Sequence, residues 1–170
     1  MKAHQKDVLK AWIAALLWLG LIIFESTNVA SSANTGRLLY PIFHFLFGLD
    51  FARFAVWHLY IRKIGHFVGY FTLSLLLFRA WRATILIPHG LWSIRWAGIA
   101  FFMTSLVACL DEWHQAYLPS RTGTIHDVIL DSSAALIAQI LIFGLSHIRG
   151  GLNPKGSTLE IPLSKARAEN

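Results

Sequence analysis

The sequence predicts an all-α integral membrane protein with about four transmembrane helices and an interfacial amphipathic segment between the first and the second. Of its 170 residues, 55% are hydrophobic and only 14% are charged, whereas a soluble domain has roughly 25% charged residues. The apolar residues also gather in long runs, as spanning helices of roughly 20 residues require. The length predicts a single domain. The one cysteine, Cys109, excludes an intramolecular disulfide.

The first span is predicted over residues 11–24, which are apolar throughout and follow three lysines. A positive start before an apolar run is also how a signal peptide begins, and residues 31–33 (Ser-Ser-Ala) offer a small-residue cleavage site. Cleavage therefore stays an open alternative. Both interpretations start the chain in the cytoplasm.

Residues 25–60 predict no span. A polar loop is expected over residues 25–36, and an interfacial segment follows over residues 37–60. The second segment is rich in Phe, Leu and His, but it is interrupted by Pro41, Gly48, Asp50 and Arg53. Such a segment predicts one or two amphipathic pieces that lie in the membrane interface.

Three further spans and a tail complete the predicted organisation. The spans are expected over residues 64–78, 96–110 and 125–148. The link over residues 80–95 is basic and contains Pro and Gly. Residues 1–150 then form one transmembrane domain, and residues 151–170 predict a disordered cytoplasmic tail of mixed charge.

The distribution of basic residues predicts a multi-pass protein of the cell membrane with both termini in the cytoplasm. With the N-terminus inside, ten of the 15 Lys and Arg residues fall in cytoplasmic segments. Arg62 and Lys63 lie on the disfavoured side, so their charges do not serve topology. The net charge is +6, and the basic residues flank apolar runs. This arrangement indicates membrane lipids as partners and no nucleic acid.

Polar residues of three predicted spans fall at the same membrane depth. They lie three or four positions apart within each span, so they share helix faces. The residues are Lys63, His66 and Tyr70 on the second span, Asp111, Glu112 and Gln115 on the third, and Asp127 and Asp131 on the fourth. Arg121 lies in the short loop above them. Ionisable groups at such a place mark a functional site by default, so an outward-facing polar pocket is predicted.

The residue types suggest two kinds of role within this pocket. Carboxylates with a histidine can position and deprotonate a nucleophile, which makes Asp111, Glu112, His66 and Asp127 the catalytic candidates. Cationic and polar groups can hold an anionic ligand such as a phosphate or carboxylate. The candidates for ligand binding are Lys63, Tyr70, Gln115, Arg121 and Asp131.

Metal and cofactor motifs give no assignment. The zinc spacing His-Glu-x-x-His, phosphate-binding loops, dinucleotide fingerprints and Gly-x-Ser-x-Gly are all absent from the sequence. No metal site is therefore assigned, although Asp and Glu oxygens could hold a divalent cation, and any cofactor stays unknown.

Several polar and aromatic residues also have a structural interpretation. Thr124-x-x-Asp127 matches a capping box at a helix start. Lys63 could extend to lipid head groups. Four aromatic residues are expected in the interfacial belt, namely Trp92, Trp96, Trp113 and Tyr117. Nothing ties the remaining histidines of these segments to the shared faces, and these are His44, His58, His114 and His126.

Four motifs in order resemble the VanZ-like membrane protein family. They are Arg62-Lys63-Ile64-Gly65-His66-Phe67-x-x-Tyr70-x-x-Leu73, Asp111-Glu112-Trp113-His114-Gln115, Arg121-x-Gly123 and Asp127-Val128. The resemblance implies a small helical protein of the bacterial envelope, whose namesake is linked to resistance to the glycopeptide teicoplanin. The chain departs from the family at Gly69, where many members have Glu. It also has Asp131 and Ala134, where Asn and Gly are common.

Three classes of function remain open. The first is an envelope enzyme that acts on a lipid-linked or anionic cell-wall component. The second is a non-catalytic protein that binds an envelope lipid or a glycopeptide antibiotic. The third is a small transporter, which requires ionisable residues deep within the spans, where only Gln139 is strongly polar. Whether the protein is an enzyme is not decided by the sequence.

Overall fold

The protein is a helical bundle whose residues 3–86 and 91–151 are described by a computed structural model. The helices are α1 (Ala3–Ser26), α2 (Ser32–Phe47), α3 (Phe51–Thr84), α4 (Ile94–Ala116) and α5 (Ile125–Gly151), with a short 3₁₀ helix at Asn28–Ala30. These ranges contain no β-strand. By length and composition α1, α3, α4 and α5 can each span a membrane. The predicted fold class is therefore confirmed. The tail beyond residue 151 lies outside the described residues.

The long helix α3 lies at the centre of the bundle and packs against α1, α4 and α5. Small side chains line the contacts with α4 and α5, which lets the helix backbones approach closely. The fully buried members of this set are Ala100, Ala108, Ala134, Ala135 and Ala138. Close approach of this kind favours van der Waals packing, which holds helices together where the surroundings are as apolar as the side chains.

The spanning helices alternate in direction. At one end of the bundle, Trp12 Nε1 near the start of α1 donates a hydrogen bond of 2.9 Å to Thr84 Oγ1 at the end of α3. The rings of Trp92 and Phe143, 4.9 Å apart, bring the start of α4 and the last turns of α5 together at this end. The opposite end, where α1 and α4 finish and α5 begins, holds the polar residues, and we refer to it as the site end.

The region between α1 and the second span differs from its prediction. The loop predicted over residues 25–36 is too long, because residues 32–36 already belong to α2. The interfacial segment predicted over residues 37–60 is also too long, because residues 51–60 form the first turns of α3. Gly48 ends α2 in the left-handed conformation, with φ of 64°. The Asp50 side chain then accepts a hydrogen bond of 2.8 Å from Arg53 N and starts α3. Two of the four predicted interruptions, Gly48 and Asp50, are thus helix caps, whereas Pro41 lies inside α2 and Arg53 lies inside α3.

Helix α2 keeps the character of an interfacial piece. It has no fully buried residue, and Leu38, Phe45 and Phe47 are largely exposed. Tyr40 holds it against α3 through ring contacts of 5.5 Å with Phe51 and 5.3 Å with Phe54. With its 34 residues, α3 is about 51 Å long at 1.5 Å per residue. It therefore exceeds the hydrocarbon core, and its first turns give α2 a surface to pack against.

One predicted member of the aromatic belt is a core residue instead. Trp96 is 1% exposed, packs edge-on against Phe78 and donates a hydrogen bond of 3.0 Å to Ile85 O. The interfacial prediction for Trp96 is therefore wrong, because the start of α4 is enclosed by the end of α3. Trp113 and Tyr117 are 63% and 72% exposed, as expected for interfacial aromatic residues.

Candidate functional site

Two side-chain pairs join α3 to α5 at the site end. Lys63 Nζ forms an ion pair with Asp127 Oδ1. One helical turn deeper, His66 Nδ1 lies 3.2 Å from Asp131 Oδ2. The Asp131 side chain is fully buried, and a carboxylate in such a position requires a partner. The regular spacing on each helix therefore places an ion pair and a histidine–carboxyl pair on facing surfaces of α3 and α5.

A second set of contacts joins α3 to α4. Tyr70 OH donates a hydrogen bond of 2.8 Å to Asp111 Oδ2. The same oxygen accepts one of 3.1 Å from Gln115 Nε2, one helical turn further along α4. One carboxylate oxygen is thus held by two donors, and the other oxygen of Asp111 stays available.

Glu112 is buried beside this network. Its side chain is 4% exposed, and Oε2 accepts a hydrogen bond of 2.8 Å from Thr124 N. The other oxygen, Oε1, is buried without a hydrogen-bond partner. A buried polar atom without a partner is costly, and such atoms in a cleft are candidates for ligand contact.

Glycine is required where the α4–α5 loop crosses α4. A Cβ atom at Gly123 would overlap Glu112 O and would lie 2.9 Å from Ala116 N. The close crossing places Thr124 N against the Glu112 carboxylate. The glycine of the Arg121-x-Gly123 motif is therefore required for a steric reason in this chain.

Asp127 serves the helix start and the ion pair together. Its backbone N–H donates a hydrogen bond of 3.2 Å to Thr124 Oγ1, and its Oδ2 accepts one of 3.0 Å from the same hydroxyl. One half of the predicted capping box therefore forms, whereas the Thr124 backbone N–H, which the other half requires, donates to Glu112 Oε2 instead. Because Lys63 contacts the other oxygen, capping and ion pairing do not exclude each other.

Two arginines tie the chain that follows α1 to the site. Arg121 donates to Glu25 O, and also to Thr27 O at 2.9 Å, while Arg62 donates to Ala30 O at 3.3 Å. Burial, and then the positive charge of Arg62, lower the pKa of Arg121 from its usual value. A guanidinium nevertheless keeps its proton at neutral pH.

A pocket of about 1030 Å³ opens beside these residues, between α2, the first half of α3 and the α4–α5 loop. Lys and Arg dominate its charged lining, and Asp127 is the only carboxylate among the lining residues. The cationic residues that line it are Arg37, Arg62, Lys63 and Arg121. Tyr40, Phe54 and Leu59 contribute apolar surface. We call this space the anion pocket, because clustered positive charge raises the local concentration of anions.

The anion pocket includes residues that the sequence analysis did not assign. Arg37, His58 and Arg62 were not among the predicted site residues, yet all three line the pocket. His58 is also buried and lies 3.0 Å from Thr35 Oγ1. His58, Arg62 and His66 follow at intervals of four residues, so a helix that was predicted to start at residue 51 would have placed them on one face.

The other candidates converge below the anion pocket. One ring nitrogen of His66 and one carboxylate oxygen each of Asp111 and Glu112 lie within 4.8 Å of one another. Among the residues that the structure describes, this is the set with the composition and spacing of a metal site. His66 and Gln115 also border the anion pocket. All nine predicted site residues therefore lie at the site end.

Comparison with known proteins gives one match. The family model described as VanZ/LLP1 matches residues 11–146, from the early part of α1 to near the end of α5. No curated protein and no solved structure matches the chain.

Proposed function

The chain belongs to the VanZ/LLP1 family, and from that premise we propose that it binds the anionic head group of a lipid-linked cell-wall component. The head group would occupy the anion pocket, and His66, Asp111 and Glu112 would act on it. In this proposal the site end faces the extracytoplasmic side, in accord with the excess of Lys and Arg in the other segments. The protein would then work in the cell envelope.

The observation that carries the proposal is the charge of the anion pocket. Four Lys and Arg side chains and one carboxylate line it, although basic residues so close to a membrane-spanning core are costly to maintain. Arg37 forms no ion pair with any residue that the structure describes, and Arg62 and Arg121 use only part of their donors on backbone carbonyls. Guanidinium groups with unused donors suit the paired oxygens of a phosphate.

The surroundings of the pocket suit a lipid ligand. Tyr40, Phe54 and Leu59 lie among the cations, and the neighbouring surface of α2 exposes Leu38 and Phe45. A head group could bind the cations while its chain stays against these apolar faces. A polyprenyl phosphate has this chemistry, with one or two phosphate groups at the end of a long hydrocarbon chain.

The cluster under the pocket supports a hydrolytic step. Water would attack the phosphorus atom of the head group, and Asp111 or Glu112 would take its proton with the help of His66. The bond between phosphorus and the leaving oxygen would break, and that oxygen would receive a proton from the cluster. The cations of the anion pocket would stabilise the charge that develops on the phosphoryl oxygens.

The link to glycopeptide resistance follows from the same proposal. Teicoplanin-type antibiotics act on cell-wall precursors, and a protein that changes the supply of a lipid-linked precursor would change sensitivity. A non-catalytic binder of the lipid, or of the glycopeptide itself, is the second candidate. The observation that favours it is that the cations and the apolar surface of Tyr40, Phe54 and Leu59 line one pocket, because such a pocket is sufficient to hold an anionic lipid without any reaction.

Ligand binding can be tested with farnesyl phosphate, using farnesol as its uncharged counterpart. Tryptophan fluorescence of the purified protein in detergent would report binding. We expect Arg37→Gln to weaken the binding of farnesyl phosphate about tenfold, the effect of about 1.4 kcal/mol. Arg53→Gln is the matched control, because Arg53 lies on α3 outside the pocket and its side chain is 76% exposed. Equal affinity for phosphate and alcohol would contradict the proposal.

The catalytic part is tested by Glu112→Gln, which keeps the size of the side chain and an acceptor for Thr124 N. A glycopeptide-sensitive Gram-positive host would express either form at matched membrane levels, and teicoplanin susceptibility would be measured. The hydrolytic proposal predicts that the native protein protects the host and that the variant, which still binds farnesyl phosphate, does not. Protection by both forms would favour the non-catalytic binder. If neither form protects the host, the proposed link of this chain to glycopeptide resistance is wrong.

A further inference from the structure

Three side chains beside the anion pocket, of which only His66 lines it, have the arrangement of metal ligands. We propose that His66, Asp111 and Glu112 bind a divalent cation of the Mn²⁺ or Zn²⁺ kind. A ring nitrogen and two carboxylate oxygens lie within 4.8 Å of one another. Ligand atoms about 2 Å from one ion lie at most about 4 Å apart, so side-chain shifts of about 1 Å would complete the site.

Each of the three side chains is held by one atom and leaves another available. His66 Nδ1 contacts Asp131 Oδ2 at 3.2 Å, which leaves Nε2. Asp111 Oδ2 accepts from Tyr70 OH, which leaves Oδ1. Glu112 Oε2 accepts from Thr124 N, which leaves Oε1. Metal-binding histidines and carboxylates are commonly oriented by such outer contacts, and a carboxylate on the far side of the imidazole is the usual partner.

Glu112 Oε1 is an independent indication of a ligand. The side chain is 96% buried, as its exposed fraction is 4%, and Oε1 has no hydrogen-bond partner. Among the residues described, neither Asp111 nor Glu112 forms an ion pair with Lys or Arg. Arg62 and Arg121 act on these two carboxyl groups only from beyond ion-pair distance, and a bound cation would provide a partner in direct contact.

A small cavity adjoins two of the three side chains, His66 and Asp111. Its volume is about 20 Å³, and His66, Tyr70, Asp111 and Gln115 are among its lining residues. A cavity needs roughly 10–15 Å³ to hold one water molecule, so this one has room for a single small ion or a water. Because His66 and Gln115 line the anion pocket as well, an ion here would lie next to a bound anion.

The ligand types select the class of cation. Ca²⁺ and Mg²⁺ prefer sites made of oxygen atoms, whereas imidazole nitrogen suits later first-row metals. One imidazole with two carboxylates therefore favours Mn²⁺ or Zn²⁺. Three protein ligands leave a position open, and a cation in such a site supplies an activated water near neutral pH. This consequence rests on the proposed function, but the cation site itself rests on the geometry alone.

The test is a Mn²⁺ titration of the full-length protein in detergent after chelator treatment. Electron paramagnetic resonance would follow free Mn²⁺, and Zn²⁺ and Mg²⁺ would be added as competitors. We expect one Mn²⁺ per chain, displaced by Zn²⁺ far more readily than by Mg²⁺. Glu112→Gln should weaken binding at least tenfold, while Asp7→Asn, which removes an exposed carboxylate on α1, should leave it unchanged.

A second variant and a ligand-binding control complete the design. His66→Gln replaces the ligand on the other helix, so the proposal stands on this variant if Glu112→Gln fails to fold. The proposal is overturned if native protein binds no stoichiometric cation, or if a folded variant of either residue binds Mn²⁺ like the native protein. Farnesyl phosphate binding to the chelator-treated protein is measured in parallel, so that failure of the cation site and failure of the anion pocket are distinguished.

Discussion

At the scale of single residues, the carboxyl groups of Asp111 and Asp127 each contact two partners. Asp127 contacts Lys63 with one oxygen and Thr124 with the other. Asp111 accepts from Tyr70 on α3 and from Gln115 on its own helix. The positions of these two carboxylates are therefore each set by two contacts, and a change at one contact would affect the other.

The variant Gly123→Ala tests the close crossing of the α4–α5 loop over α4. Gly123→Ala would force a Cβ atom into Glu112 O, and because both neighbours are backbone atoms they cannot rotate away. We expect a loss of about 1–3 kcal/mol in the free energy of unfolding, the usual cost of overpacking. Thermal unfolding in detergent, followed by circular dichroism, would measure it.

Gly20→Ala is the matched control for that measurement. Gly20 lies within α1, and a Cβ atom there meets nothing within 4 Å. Since Ala favours a helix by about 1 kcal/mol over Gly, this variant should unfold at the same or a higher temperature. If Gly123→Ala were as stable as Gly20→Ala, the steric explanation of the glycine would be wrong.

At the scale of the helices, α3 and α5 are joined by a polar contact far from the site end. Gln139 Nε2 donates to Ser74 Oγ at 2.7 Å and to Ser74 O at 3.2 Å, and Ser74 Oγ donates to Ala135 O at 3.1 Å. The one strongly polar side chain deep in the spans is thus engaged in helix packing. This contact gives the transporter alternative no support.

The variant Gln139→Leu tests that interpretation. It removes a hydrogen bond between two helices. Such bonds in membranes stabilise a protein by about 0.6 kcal/mol on average and by about 1.7 kcal/mol at most. We expect a small decrease in unfolding temperature and unchanged binding of farnesyl phosphate. Ser133→Ala, which alters an exposed hydroxyl bonded within α5, is the control. A loss of ligand binding in Gln139→Leu alone would show that the deep residue belongs to the functional path.

At the scale of the whole molecule, alternating spans bring the first residues of α1 and the last residues of α5 to the same end. The contacts of Trp12 with Thr84 and of Trp92 with Phe143 define that end. The Lys and Arg distribution predicts that this end faces the cytoplasm, which would place the anion pocket on the outer side.

Cysteine labelling of intact cells would test the orientation. In a Cys109→Ala background, Ser120→Cys would place a thiol in the α4–α5 loop and Ala3→Cys would place one at the start of α1. We expect a membrane-impermeant maleimide to label the loop position in intact cells. The N-terminal position should react only after permeabilisation. The reverse labelling pattern would show that the site end faces the cytoplasm and would contradict the extracytoplasmic role.

The sequence by itself determined the fold class, the four spans and which residues share a helix face. A membrane forces backbone groups to bond within each segment, so an apolar run of sufficient length becomes a helix. Helical periodicity then decides that residues 63, 66 and 70 lie together, as do residues 127 and 131. The pairs Lys63–Asp127 and His66–Asp131 follow once the two faces meet.

Only the tertiary structure decided which faces meet and what they enclose. Lipid tails are as apolar as leucine, so the apolar pattern of a span does not distinguish a lipid-facing side from a buried one. Trp96 was misplaced for that reason. Because α3 is helical from Phe51 onwards, His58, Arg62 and Lys63 lie where they line the anion pocket. The approach of His66 to Asp111 and Glu112 depends on the rotation of two helices about their axes, and no sequence spacing records it.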